Sequence, residues 1–376
     1  MKNVFHEMRE IVSICIPTYN GATYIAETLE SILAQTFSNF EVLVVDDQST
    51  DDTLDIAGSY AVRDARIRLV QNPHNLGLVG NWNRCIELAK GEWIKFVFQD
   101  DLLAPDCLDK MIGFLQKSSG KEEVIFCKRD YIFENINNPH DLDLKINKVN
   151  FFWDIFPNKI LIRPLDTIKI IIKWPGRNIF GEPSSYLIHR KVFERFGLFD
   201  SIFHHICDLE YWLRIGVNLD VLMIPDTLVH FRVHDHSTTN FNRREKWLQM
   251  RYLDRLRLFR KFMYDDSYRS LRKEMNTWPC SMYLKTQTAI YARRAKIAVQ
   301  AEEDIKWDKD FAAFCNEYSD ITELSNTNYF ILAIRYAFSK SCLIIKWAID
   351  SLITKTSYLI YKGSGSQQLP PPKAVA

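Results

Sequence analysis

Residues 91–106 read GEWIKFVFQDDLLAPD: an apolar, aromatic segment that runs straight into two adjacent carboxylates, Asp100 and Asp101, and then into Pro105. Its core, Ile94 to Phe98, is a nearly continuous apolar run, the pattern of a strand covered on both faces. Val42-Leu43-Val44-Val45 has the same character. Upstream, short β-rich runs alternate with helical ones: IVSICIP, YIAETLESILAQ, FEVLVVDD, DDTLDIAGSYAVRD, IRLVQN, VGNWNRCIELAK, then EWIKFVFQDD. This alternation predicts right-handed βαβ crossovers, hence an α/β, Rossmann-like, mostly parallel sheet flanked by helices.

In such sheets ligands gather beyond the carboxyl ends of the strands. Three predicted strand ends carry polar clusters there: Pro17-Thr18-Tyr19-Asn20, Asp46-Asp47 and Asp100-Asp101. A helix cap is the ordinary alternative for Asp101, but Pro105 reads as the first helical residue, with Ala104 at the cap. The two aspartates stand too far upstream for capping. In DDQSTDDT, Ser49 or Thr50 is the expected cap, which accounts for Ser49 to Asp52 and leaves Asp46 and Asp47 unexplained.

Composition narrows the function. A chain of 376 residues, 47% hydrophobic and 13% aromatic, buries a large core. Forty-eight basic against 47 acidic residues leave a formal charge of +1, so no overall field draws the chain to nucleic acid. The eight cysteines are scattered without a CxxC pair, which argues against a disulfide framework or a cysteine zinc site and for a reducing, cytoplasmic compartment. The first residues, with Glu7 and Glu10, do not read as a secretory leader. No uninterrupted apolar run approaches the roughly 20 residues of a membrane-spanning helix.

Strand-end carboxylates suit two chemistries. A phosphatase nucleophile of the DxDxT type fails at Gln48, which stands where its second aspartate belongs. Nucleotide recognition fits better: one carboxylate accepts from base or ribose donors, and another holds a divalent cation against a diphosphate.

The order Pro17-Thr18-Tyr19-Asn20, Val45-Asp46-Asp47-Gln48-Ser49-Thr50-Asp51, Asn75-Leu76-Gly77, Gly91-Glu92-Trp93-Ile94 and Gln99-Asp100-Asp101 resembles the successive motifs of glycosyltransferase family 2, inverting enzymes with the GT-A fold. The likeness continues through Gly181-Glu182-Pro183-Ser184, CDLEYWLRI and FRVHDHST to about residue 240. With no QxxRW motif, the chain resembles the non-processive members.

The resemblance implies transfer of a sugar from a nucleotide-diphosphate donor to a hydroxyl of a glycan or lipid-linked glycan, in bacterial surface polysaccharide or glycan assembly. It implies a nucleotide-sugar site of Pro17, Thr18, Tyr19, Asn20, Glu27, Asp46, Asp47, Asn75, Gly77, Gln99, Asp100 and Asp101. Asp100 and His234 would hold Mg2+ or Mn2+. Asp208 would be the general base, with Glu210 as fallback, and Glu182, Pro183 and Ser184 would form a loop near the acceptor or donor sugar. One departure stands out: Phe98 occupies the first position of the family's Asp-x-Asp metal motif and cannot bind a metal. A catalytically inactive sugar-nucleotide-binding module and a sugar nucleotidyltransferase are the alternatives.

The expected organisation is a catalytic domain over residues 1–240, a helical region over 241–362 and a disordered tail over 363–376, GSGSQQLPPPKAVA. Within the helical region, Arg251, Arg255, Arg257, Arg260 and Lys261 read as a basic helix, either solvated or in peripheral contact with anionic lipid. The spacing Ile331, Ile334, Phe338, Cys342, Ile345, Ile349, Leu352 reads as an amphipathic helix packed on the catalytic domain or on the partner in a homo-oligomer.

Overall fold

The computed structural model describes residues 12–118, 121–134, 156, 159–176, 178–235, 237, 248–275, 278–302, 305–327, 331–332 and 334–339. The expected tail and the end of the amphipathic stripe lie outside these residues.

The first half winds as anticipated: β1 (Val12–Thr18), α1 (Ile25–Leu33), β2 (Phe40–Asp46), α2 (Thr53–Arg63), β3 (Ile67–Gln71), α3 (Gly77–Leu88) and β4 (Trp93–Phe96). Then come β5 (Leu102–Leu103), α4 (Cys107–Lys117), β6 (Val124–Phe133), β7 (Leu161–Ile162), α5 (Pro164–Lys173), β8 (Tyr186–His189), α6 (Arg190–Phe196), α7 (Cys207–Gly216) and β9 (Val221–Val233). The nine-stranded sheet has the order β3-β2-β1-β4-β8-β6-β9-β5, with β7 also on β9. β1 to β4 are mutually parallel, and β8 enters antiparallel to both β4 and β6.

Every residue of β1 and β2 is buried because the sheet is covered twice. Cys15, Leu43, Val45 and Phe96 pack with α3, α5 and α7 on one face, while Ile14, Ile16, Val42 and Val44 pack with α1 and α4 on the other. The continuous apolar runs are thus two alternating faces, each with its own helical layer.

Two local expectations are corrected. The strand of the opening stretch ends its ladder at Phe96, and Asp101 N–H closes a turn onto Phe98 C=O at 3.0 Å. Helix α4 begins at Cys107 with Asp106 at the cap, not at Pro105 after Ala104. Tertiary pairing is the reason: Leu102 and Leu103 join β9, and Ala104 N–H donates to Leu228 C=O at 3.0 Å, so the backbone stays extended where local signals favour a helix start.

Beyond residue 247 the described residues are mainly helical: α8 (Asp254–Tyr264), α9 (Arg269–Glu274), α10 (Trp278–Glu302), α11 (Ile305–Glu317) and α12 (Ser319–Ser325). One side of α8, through Leu258, Phe259 and Phe262, enters the core it shares with α7. Its opposite side, through Leu256, joins a separate cluster with Ala292, Ala295, Val299 and Phe314. Much of the basic charge on this helix faces protein carboxylates: Arg257 on Asp254, Arg260 on Asp320, and Lys261 on Asp200 and Glu210. In the first turns of the amphipathic stripe Ile331, Ile334 and Phe338 are about half exposed, while Leu332 is buried and Tyr336 packs against the core cluster that includes β1, β2 and β4 residues. Among the described residues no helix is long and apolar enough to cross a membrane.

Candidate active site

Strand order reverses between β1 and β4, the point at which sheets of this kind take their ligands, and the loops after these strands carry the expected motifs. Asn20 has φ 49° and its Oδ1 accepts Thr50 N–H at 2.8 Å, so the loop after β1 is built on the loop after β2. Gln99 presents its side-chain amide to Tyr19 like a short strand: Oε1 accepts Tyr19 N–H at 2.9 Å, and Nε2 donates to Tyr19 C=O at 3.1 Å. Gln99 therefore clamps the Pro17-Thr18-Tyr19-Asn20 loop to the end of β4. Tyr19 is half exposed on that rim.

Asp46 and Asp47 turn inward. Asp46 is fully buried and accepts from Thr18 Oγ1, Ser49 N–H and Gln71 Nε2. Neither Ser49 nor Thr50 caps α2, whose N-cap is Asp52; Ser49 instead donates its N–H to Asp46 at 3.1 Å, which ties the turn to the end of β2. Asp47 accepts Leu76 N–H at 2.8 Å and Gly77 N–H at 2.9 Å, which anchors the start of α3. Asn75 donates to Asp47 C=O at 2.9 Å, and Gly77 has φ 74°, which glycine adopts without strain. What these residues contribute directly is the shape of the loops.

At the end of β4, Asp100 Oδ2 lies 3.0 Å from His234 Nε2, carried there by β9. Arg232 sits two residues before His234 and is almost wholly buried. Its Nε donates to Asp100 C=O at 3.0 Å, its other nitrogens pair with Glu27 and Glu134, and its guanidinium carbon lies 4.7 Å from the Tyr24 ring centroid. Glu27 is therefore an exposed carboxylate docked on Arg232 at the rim.

Asp208, at the start of α7, is partly exposed. Its carboxyl is pushed up to about 7, first by desolvation and further by the nearby Glu182 charge; the Leu209 N–H and Asn178 oppose this. Asn178 Nδ2 donates to Asp208 Oδ2 at 3.0 Å. Glu182 pairs with Arg129, and Trp212 Nε1 donates to Gly181 C=O at 3.1 Å. A partly open carboxyl that is half ionised near neutrality suits proton transfer.

Residues 13–196 match the family model described as glycosyl transferase family 2. The chain carries a glycosyltransferase family 2 domain. It is 31% identical over 232 residues to an uncharacterized glycosyltransferase of Rickettsia typhi, an alignment covering 61% of this chain and 66% of that protein. The fold is similar to S. aureus TarS 1-349 in complex with UDP-GlcNAc (TM-score 0.50, 17% identity, 82% of this chain and 92% of that one). It is also similar to the mannosyltransferase PcManGT from Pyrobaculum calidifontis in complex with GDP-Man and Mn2+ (TM-score 0.50, 19% identity, 88% and 86%). The GT-A architecture expected from the motifs is thus the fold of this domain.

Two expected site residues of the glycosyltransferase are corrected. Asp101 is fully buried, and its oxygens accept Ser184 Oγ and the Arg232 N–H. Burial, and then the adjacent Asp100 charge, push its carboxyl well up, so it braces the Glu182-Pro183-Ser184 loop from below instead of facing a ligand. Lys95, buried in β4, holds the same loop through Ser184 C=O.

Glu210 is no fallback base. Two residues along a helix from Asp208, it faces the opposite way, where Arg214 Nη2 at 2.9 Å and Lys261 Nζ at 3.0 Å bind its fully buried carboxylate. Glu210→Ala is expected to destabilise the protein by about 3–5 kcal/mol, because it leaves two cations without their buried counter-charge. Urea melts check this, and an unchanged midpoint would contradict it.

The side chains present offer few ligands for a divalent cation. Phe98 stacks on Trp82 with ring centroids 4.9 Å apart, so the position of the missing aspartate belongs to the core. Among the described residues no group of three or more His, Cys, Asp or Glu could hold a metal. Asp100 and His234 nevertheless converge, and a carboxylate plus an imidazole fits Mg2+ or Mn2+ when donor oxygens and water complete the shell.

Sequence reasoning missed Arg232, Tyr24, Asn178, Arg129 and Trp212. Arg232 lay inside FRVHDHST and could have been found as a cation flanked by motif histidines. Asn178, in PGRNIF, gave no spacing signal at all.

Proposed function

We propose that this glycosyltransferase moves a sugar from a nucleotide-diphosphate donor to an acceptor hydroxyl with inversion, using Asp208 as general base. The observation that carries the reading is the partly open Asp208 carboxyl, raised to about 7 at the start of α7. Asp208 takes the hydroxyl proton as the acceptor oxygen bonds to the anomeric carbon. The bond from that carbon to the diphosphate oxygen breaks on the opposite face, the electron pair leaves with the nucleoside diphosphate, and Asp208 ends protonated. Such base assistance contributes about 10² to 10⁴ in rate.

Asp100 and His234 would hold Mg2+ or Mn2+ against the donor diphosphate. When bound, the cation neutralises charge that develops on the leaving group. Tyr19, Asn20 and Glu27 edge the donor crevice in this reading, and Gln99, Asp46 and Asp47 set its walls. The acceptor would be a glycan or lipid-linked glycan used in surface polysaccharide assembly, at the cytoplasmic side of a membrane. Free buried cysteines such as Cys15 and Cys127 agree with a reducing compartment.

The substitution of Phe98 for a metal ligand favours a second reading, a sugar-nucleotide-binding module without turnover. Incubation with UDP-GlcNAc, UDP-glucose and GDP-mannose separates the readings. Nucleoside diphosphate and sugar released together are the expected result. Binding without turnover would establish the second reading, and pyrophosphate release would point to a nucleotidyltransferase.

A further inference from the structure

We infer that Asn178 is a positioning residue for Asp208: its amide orients the carboxylate, favours its proton-accepting form and ties it to the turn at Phe180 and Gly181. The inference deepens the proposed base role and rests on it.

The amide orientation of Asn178 is decided by its neighbours. Oδ1 accepts two backbone N–H groups, Phe180 at 3.1 Å and Gly181 at 3.1 Å. Exchanging oxygen and nitrogen would set an NH2 against both donors, so Nδ2 is the atom that faces Asp208 Oδ2 at 3.0 Å. An NH2 can only donate, and a donor favours a carboxylate over a carboxylic acid.

The turn is held at further points. Gly181 has φ 84°, and a Cβ there would meet Arg129 Nη1 at 2.1 Å, so the backbone lies directly on the guanidinium. Trp212, one helical turn after Asp208 on α7, binds Gly181 C=O. Helix α7 thus grips the turn twice, once through Asp208 and Asn178 and once through Trp212.

The other groups around Asp208 do not replace Asn178. The Glu182 carboxylate raises the Asp208 carboxyl, and Arg129 spends its charge on Glu182. The Tyr186 phenol on β8 and the Cys207 thiol on α7 are both pushed well up by burial, so both are neutral neighbours. Favouring ionisation are backbone N–H groups at the start of α7 and the Asn178 amide.

The experiment follows the Asp208 side-chain carbon by NMR in full-length protein labelled with carbon-13 at aspartate Cγ, with Asp208→Asn assigning the signal. Asn178→Ala is expected to raise the Asp208 titration midpoint by about one pH unit. Asn178→Asp keeps an oxygen for the Phe180 and Gly181 N–H groups, so a merely structural role survives. It nevertheless loses the donor and adds a carboxylate, so the midpoint of the pair is expected to rise further. The acid limb of UDP-GlcNAc or GDP-mannose turnover is expected to move with the NMR midpoint.

An unmoved midpoint in a folded Asn178→Asp protein overturns the inference while leaving the base assignment intact. Full turnover by Asp208→Asn, with the midpoint shift present, overturns the base assignment and the positioning role with it. The two failures are read on separate instruments.

Discussion

Asp208→Asn is expected to lower sugar transfer by about 10² or more while leaving donor affinity nearly unchanged, because it keeps shape and removes only the proton-accepting oxygen. The same change is expected to stabilise the folded protein above neutral pH. The sign follows from linkage: the folded carboxyl titrates at about 7 against an ordinary 3.8, so between those values the native chain holds a proton that the unfolded chain has released. Stability from this site is fully present below the ordinary value and is lost as pH rises through about 7.

The difference between about 7 and 3.8 corresponds, at about 1.4 kcal/mol per unit, to an upper bound of roughly 4 kcal/mol, reduced by the solvent that reaches Asp208. Melting curves should show the gap between Asp208→Asn and wild type widening from about pH 4 to about pH 7 and levelling off above that. Near-normal transfer by Asp208→Asn would sink the catalytic assignment. A gap that does not depend on pH would sink the electrostatic one.

Removal of divalent cations is expected to suppress turnover by about 10² or more, and Mn2+ or Mg2+ should restore it. The protein supplies one carboxylate and one imidazole, so Asp100→Ala should abolish that rescue, whereas Phe98→Asp should lower the cation concentration needed for half-maximal rate. Phe98→Asp also removes a ring stacked on Trp82, so its melting temperature must be measured alongside. Full activity in chelator would show that the aromatic substitution at 98 marks a metal-independent transferase.

Much of the molecule was legible in the chain. The runs at Val42–Val45 and Ile94–Phe98 are apolar on both faces, which requires a sheet covered twice, and the sheet is so covered. Asn75-Leu76-Gly77 carried part of its own geometry, since Asn75 Oδ1 accepts the Gly77 N–H at 3.0 Å and glycine takes φ 74°, while Asp47 from the end of β2 supplies the rest of the anchor. The boundary at Pro105 was misread because β5 takes its hydrogen bonds from β9, a partner more than a hundred residues away.

The amino-acid order by itself determined the βαβ winding, the carboxylates at the strand ends and the departure at Phe98, because periodicity and motif spacing act within a few residues. Only the tertiary structure decided the surroundings of each carboxylate. Asp101 and Asp100 are adjacent in sequence, yet one is walled in by Ser184 and Arg232 while the other meets His234. Asp208 and Glu210 share one helix turn, yet Arg214 and Lys261 neutralise the second while the first stays partly open beside Asn178. The ionisation of a carboxylate depends on the groups within a few ångströms of it, and those groups are brought together by strands and helices far apart in the chain.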